Sequence, residues 1–171
     1  TFFTGIDQLL PGHYLRVGAD EPPRVVQWYT LPYVDQAWPV AWSADVPARL
    51  RALMEDVVAL ELRSDVPIGT CLSGGLDSST IVCLVTRLVQ RDGVVPRHLI
   101  GAPLQTFSAC SEDGRFDERR FSDAVVRATD AKAHHIFPDG AQFWAELPDV
   151  IQQQDEPFAS TSIYAQWCVM R

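Results

Sequence analysis

This sequence predicts an α/β fold, a parallel sheet with helices on both faces preceded by a small β-hairpin, and three observations carry the prediction. From residue 45 onward, short apolar runs of strand character alternate with segments of helical periodicity. One run, Ile68-Gly69-Thr70-Cys71-Leu72, passes through Ser73-Gly74-Gly75 directly into the apolar stretch Ile81 to Leu88. The 171 residues are 47% hydrophobic and 21% charged, enough for one main core, and no window approaches the ~18 consecutive apolar residues of a membrane span.

Residues 1–32 lack helical periodicity. His13 to Val17 and Arg24 to Tyr29 alternate as strands do, flanked by Pro11-Gly12, Gly18-Ala19-Asp20 and Pro22-Pro23, and they suggest a hairpin. A lone hairpin is marginal in water, so it should pack on a larger body. Residues 33–44, with Trp38, Pro39 and Trp42, read as a linker, and 45–171 as the main domain. There, Val46, Leu50, Leu53, Val57 and Leu60 form the stripe of an amphipathic helix whose apolar face is expected to cover the core. Pro67 ends it. Ile68 to Leu72 suits a buried parallel strand. Gln105 to Cys110 is a second strand, and Asp117 to Thr129 a second helix of the repeat, with Phe121, Ala124, Val125 and Ala128 inward. His134 to Phe137 is a third strand. Asp139 should cap the next helix, with Pro148 opening a separate short turn toward Ile151.

The formal net charge of −8 argues against a broad nucleic-acid surface. A small anion can still bind through backbone amides. Cys71, Cys83, Cys110 and Cys168 are widely spaced in apolar segments, which indicates packed, reduced thiols rather than a zinc site or a disulfide framework. Lys132 is the sole lysine. The N-terminal residues show no export signal, so a cytoplasmic location is the expectation.

The chemistry concentrates in Ser73-Gly74-Gly75-Leu76-Asp77-Ser78-Ser79. A strand that ends in Ser-Gly-Gly and turns into a helix aims a row of backbone N–H groups at one anion-sized spot. Gly74 and Gly75 permit unusual dihedrals, and the hydroxyls of Ser73, Ser78 and Ser79 add hydrogen bonds. Asp77 would repel an anion unless a cation, Mg²⁺ by chemistry, lay between them. The plainer alternative is a Gly-Gly turn with Asp77 and Ser78 as helix caps. Neither G-x-x-x-x-G-K-[ST] nor G-x-G-x-x-G is present.

The Ser-Gly-Gly-Leu-Asp-Ser order resembles the pyrophosphate loop of ATP pyrophosphatases. Arg63 to Ser79 is similar to the start of the synthetase domain of glutamine-hydrolysing asparagine synthetases, and Phe3 to Tyr14 to the last strands of their glutaminase domain. Thr106-Phe107-Ser108, Phe116-Asp117-Glu118, His134-His135 and Asp155-Glu156-Pro157 follow in the family's order. The resemblance implies an adenine nucleotide alpha-hydrolase-like fold, with 1–32 as the tail of a glutaminase-like domain and 45–171 as the first part of the ATP-binding synthetase domain. It implies that aspartate attacks the α phosphorus of ATP, giving aspartyl adenylate and pyrophosphate, and that ammonia from glutamine displaces AMP. Ser73, Gly74, Gly75, Asp77, Ser78 and Ser79 would hold the pyrophosphate end, Asp77 with Mg²⁺, while Leu72 and Ala109 border the adenosine. A homodimer of the full-length protein is also implied.

Departures accompany the matches. The chain begins at Thr1 rather than a catalytic cysteine, Lys132 lies in no matching context, and Phe158 to Tyr164 lacks an arginine that some members carry. The chain therefore reads as an interior segment, poorly behaved or self-associating alone, with catalysis completed outside it. A β-lactam or peptide cyclase, a tRNA-modifying enzyme, or a nucleotide-binding module without catalysis are the competing readings, and the acidity disfavours the tRNA one. Among weaker signals, His134 and His135 should face opposite sides of a strand and share no metal. The acidic stretch around Gly114 reads as a solvated loop, and the five tryptophans as core or interface. Arg115, Arg119 and Arg120 lie near the ligand end of the sheet, where they meet either phosphate or surface carboxylates.

Overall fold

A computed structural model describes residues 1–31, 42–91 and 103–171. Most of the linker lies outside the described residues. The chain divides into two compact units, Thr1–Ser43 and Ala44–Arg171.

In the first unit, β1 (His13–Arg16) pairs antiparallel with β2 (Arg24–Gln27), Tyr14 opposite Val26 and Leu15 opposite Val25. The hairpin is as expected, with strands shorter than the alternation predicted. Tyr14, Leu15, Val25 and Val26 are all exposed.

The second unit runs α1 (Val46–Glu61), β3 (Gly69–Cys71), α2 (Leu76–Gln90), β4 (Gln105–Ala109), α3 (Arg119–Thr129), β5 (Lys132–Ile136), α4 (Gly140–Gln154) and α5 (Ser162–Met170). The three strands form a parallel sheet in the order β3-β4-β5. Leu62, Leu72, Val82, Val85, Leu88 and Leu104 make the core, with Val58, Ala59, Val125 and Val126 packed on it. This places α1, α2 and α3 on one face. The other face carries Cys71, Phe107 and His134, in register across the sheet, and Phe107 stacks on His134 at 4.9 Å. Helix α5 packs there against β4. As expected, the adjacent histidines diverge: His134 Nε2 meets Gln105 Oε1 at 2.7 Å, whereas His135 faces Asp123 of α3 at 3.6 Å.

Several expectations are corrected. On α1 the stripe Leu50, Leu53, Val57 and Leu60 is exposed, and it is Val58, Ala59 and the following Leu62 that meet the core. The helix carries two apolar flanks, and periodicity alone does not say which one faces the sheet. On α3, Phe121, Ala124 and Ala128 are exposed, while Val125, Val126 and the buried Ser122 turn inward. That helix starts only at Arg119, whose amide donates to the Asp117 carboxylate. Pro148 sits inside a continuous α4 rather than opening a new turn. Asp139 caps that helix, accepting from the amides of Ala141 and Gln142. The cysteines are free, but Cys71 and Cys83 are exposed rather than packed. Trp28, Trp42 and Trp144 are exposed as well. The periodicity did not predict α5. No described helix is long and apolar enough to cross a membrane.

Candidate functional site

The parallel sheet brings the C-terminal ends of β3, β4 and β5 to one edge, where ligands of open α/β sheets gather. Ser73 to Gly75 follow β3 at this edge and lead into α2. Lys132 begins β5 at the opposite edge, paired with Gln105, so the sole lysine lies away from the loop.

The loop is organised by its own hydroxyls. Ser73 Oγ lies 2.9 Å from Ser78 Oγ, the Ser73 amide donates to Ser78 Oγ, and the Gly75 amide donates to Ser73 Oγ. The chain thereby closes on itself across the first turn of α2. Gly75 is the N-cap and supplies no side-chain acceptor, so the first-turn amides remain directed outward. Asp77 stands exposed in that first turn.

Gly74 has φ +85°, and a Cβ there would lie 2.8 Å from both the Phe121 Cβ and the Ser122 amide nitrogen. Its glycine is thus required by the left-handed backbone and by α3 behind it. Gly75 is less constrained, with φ −66° and only Ser73 Oγ at 3.3 Å from an added Cβ. Ser79 also lines a groove between α1 and α2 with Leu50, Met54 and Cys83.

Beside the loop, a cavity of about 280 Å³ opens between the ends of β3 and β4 and helix α5. Leu72, Ser73, Phe107, Ala109 and Ala165 border it. Leu72 and Ala109 therefore meet around one space, although Leu72 is only 1% exposed and belongs mainly to the core. The Ser108 hydroxyl donates to the Leu72 carbonyl and locks the two strand ends together. A larger cavity of about 620 Å³ lies further along the edge, lined by Cys110, Glu112, Phe137, Asp139, Phe143 and Tyr164 among others. Ala165 lines both cavities. Partial burial pushes the Cys110 thiol up, so it stays protonated at neutral pH. Tyr164 is buried and raised in the same way, reinforced by its contacts with Cys168 and Glu146.

Sequence reasoning missed the contribution of α5 to both cavities and the contact of α3 with Gly74. The polar run Ser160-Thr161-Ser162 before apolar residues was the available helix-start signal for the first. No local signal existed for the second, which is a long-range contact.

The sequence profile of asparagine synthases matches residues 49–171. The chain belongs to the asparagine synthase family. A putative glutamine-hydrolysing asparagine synthetase of Mycobacterium tuberculosis (strain ATCC 25618 / H37Rv) is 31% identical over 175 aligned residues, covering 100% of this chain and 24% of that protein. The amidase chyE of Penicillium rubens is 34% identical over 161 residues, covering 92% of this chain and 24% of its own. Asparagine synthetase 3 of Bacillus subtilis (strain 168) is 34% identical over 96 residues, 56% of this chain and 15% of that protein. The chain thus spans about a quarter of the length of the first two of these family relatives.

Proposed function

We propose that the full-length protein activates a carboxylate with ATP and converts it to an amide, with aspartate giving asparagine and glutamine or ammonia supplying the nitrogen. The observation that carries this reading is the loop itself: self-bonded hydroxyls and outward amides at the ligand edge of a parallel sheet, in a chain of the asparagine synthase family. The amides of the α2 first turn, with Ser73 and Ser78, would hold the β and γ phosphates. The 280 Å³ cavity between Leu72, Ala109 and α5 would take the adenosine. The acceptor carboxylate attacks the α phosphorus, the bond to the bridging oxygen breaks, and pyrophosphate leaves with that electron pair. Charge builds on the leaving group as it does so, and fixed amide dipoles favour that charge without reorganising.

Asp77 fits Mg²⁺, which binds through one or two carboxylates completed by substrate phosphates. When bound, the ion neutralises phosphate charge. The hairpin His13–Gln27 would close a glutaminase-like domain, and a cytoplasmic homodimer is the assembly this reading carries.

A second reading, in which the same loop serves another carboxylate, fits the Penicillium relative's name as an amidase. Incubating the full-length protein with ATP, Mg²⁺, amide-labelled glutamine and aspartate separates the two. Labelled asparagine equal to AMP formed supports aspartate. AMP formed only with another acid moves the activity to that acid. ADP in place of AMP contradicts both.

A further inference from the structure

Helix α1 buries one flank against the core and leaves the other bare. Along the bare flank Leu50, Leu53, Val57 and Leu60 recur at intervals of three, four and three residues, the repeat of a seam between packed helices. Each keeps between 47% and 61% of its surface exposed. At its N-terminal end the stripe runs into the groove between α1 and α2, about 420 Å³, which Leu50 and Met54 line with Cys83 and Leu84. The charge beside the groove is one-sided. Glu55, one turn beyond Arg51 of the groove lining, is approached by Arg51 at 3.4 Å, Arg87 at 3.7 Å and Arg91 at 3.1 Å. Among the described residues these three guanidiniums have no other carboxylate partner, and each side chain stays about half exposed. Toward the other end of the stripe the exposed charges are Asp56 and Glu61 instead.

We propose that this face is an intramolecular docking site, covered in the full-length protein by an amphipathic helix from outside residues 1–171 that carries carboxylates at its groove end. A contiguous apolar stripe of this kind marks a place where another surface packs. Its three-and-four spacing suits a second helix, whose side chains sit as knobs in the holes such a seam presents, rather than a strand with its period of two. Three guanidiniums around one carboxylate leave two positive charges in excess, and carboxylates of the occupant balance them in charge-assisted hydrogen bonds. Asp56 and Glu61 disfavour acid at the far end and so set the direction of the occupant. The Mycobacterium and Penicillium relatives have the chain to supply it, since the aligned stretch is only about a quarter of their length.

The test uses the full-length protein and needs no turnover, so its outcome is separate from that of the proposed activity. Cys83, exposed at the groove, should react with a maleimide about a hundredfold more slowly in the native full-length protein than after unfolding in urea, read by peptide mass spectrometry. A native rate within about threefold of the unfolded one overturns the docking site. With p-benzoylphenylalanine in place of Leu53, illumination should give an adduct to a helical peptide outside residues 1–171 with Asp or Glu within about two turns. Adducts confined to residues 1–171, adducts joining two copies in a mixture of light- and heavy-isotope protein, or no adduct overturn it as well. Arg87→Glu combined with Arg91→Glu should raise the native Cys83 rate about tenfold, whereas Arg87→Lys with Arg91→Lys should leave it near wild type. A rate unchanged by the charge reversal, or an adduct peptide without acid, overturns the acidic occupant.

Discussion

Gly74 and Phe121 stand back to back, with so little room between the loop and α3 that an added Cβ at position 74 would lie 2.8 Å from the Phe121 Cβ. The loop conformation is therefore a property of two elements, α2 in front and α3 behind. Gly74→Ala should cost about 1–3 kcal/mol, because it meets both a left-handed φ and backbone atoms that cannot yield. Gly75→Ala, at φ −66°, should cost no more than about 1 kcal/mol. Denaturant melts of both variants check the contrast, and equal costs would mean that α3 does not constrain the loop.

Asp77 is exposed and so contributes little to folding. Asp77→Ala should lower Mg²⁺-dependent pyrophosphate release by about a hundredfold or more, while stability moves by no more than about 0.5 kcal/mol. Unchanged turnover would remove Asp77 from the mechanism.

Ser108 is 5% exposed, and its hydroxyl holds the Leu72 carbonyl at the edge of the smaller cavity. Ser108→Ala should destabilise by about 1–2 kcal/mol, since the carbonyl loses a donor in a buried setting. A thermal melt measures the loss, and a raised KM for ATP should accompany it.

Glu146 ties α4 to α5 through Arg171 and the Tyr164 hydroxyl. The Arg171 guanidinium, more than any other neighbour, holds its carboxyl below the usual glutamate range. A depressed folded-state pKa means that the unfolded chain binds the proton more readily. The contribution is therefore complete above the ordinary glutamate value and lost as pH falls through the lower folded value. Glu146→Gln should lower the melting temperature at neutral and alkaline pH, with the difference from wild type shrinking as pH falls through the glutamate range. A parallel downward shift at every pH would count against the ion pair as the cause.

The alternation of strands and helices made the parallel sheet legible, because strand character and helical periodicity are local. The loop was legible for the same reason, since Ser73 to Ser79 close their hydrogen bonds among themselves. What local pattern could not supply was direction. Leu50, Leu53, Val57 and Leu60 are spaced like a core stripe yet face outward, and Phe121 is as apolar as any core residue yet borders the loop. Gly74 adopts the unusual dihedral expected of it, but the helix packed behind it, almost fifty positions later in the chain, left no local sign. The pairing of Arg115 with Asp113 and of Arg119 with Asp117 likewise depends on side-chain geometry that spacing does not encode.

The central claim is that the loop from Ser73 to Ser79 supports adenylation of a carboxylic acid. ATP–pyrophosphate exchange by the full-length protein with Mg²⁺, run with aspartate and a panel of other carboxylic acids, tests it most directly. The account predicts exchange that appears only when an acceptor acid is added, with aspartate the first candidate. ATP binding without exchange for any acid in the panel would contradict it and leave a nucleotide-binding module in its place.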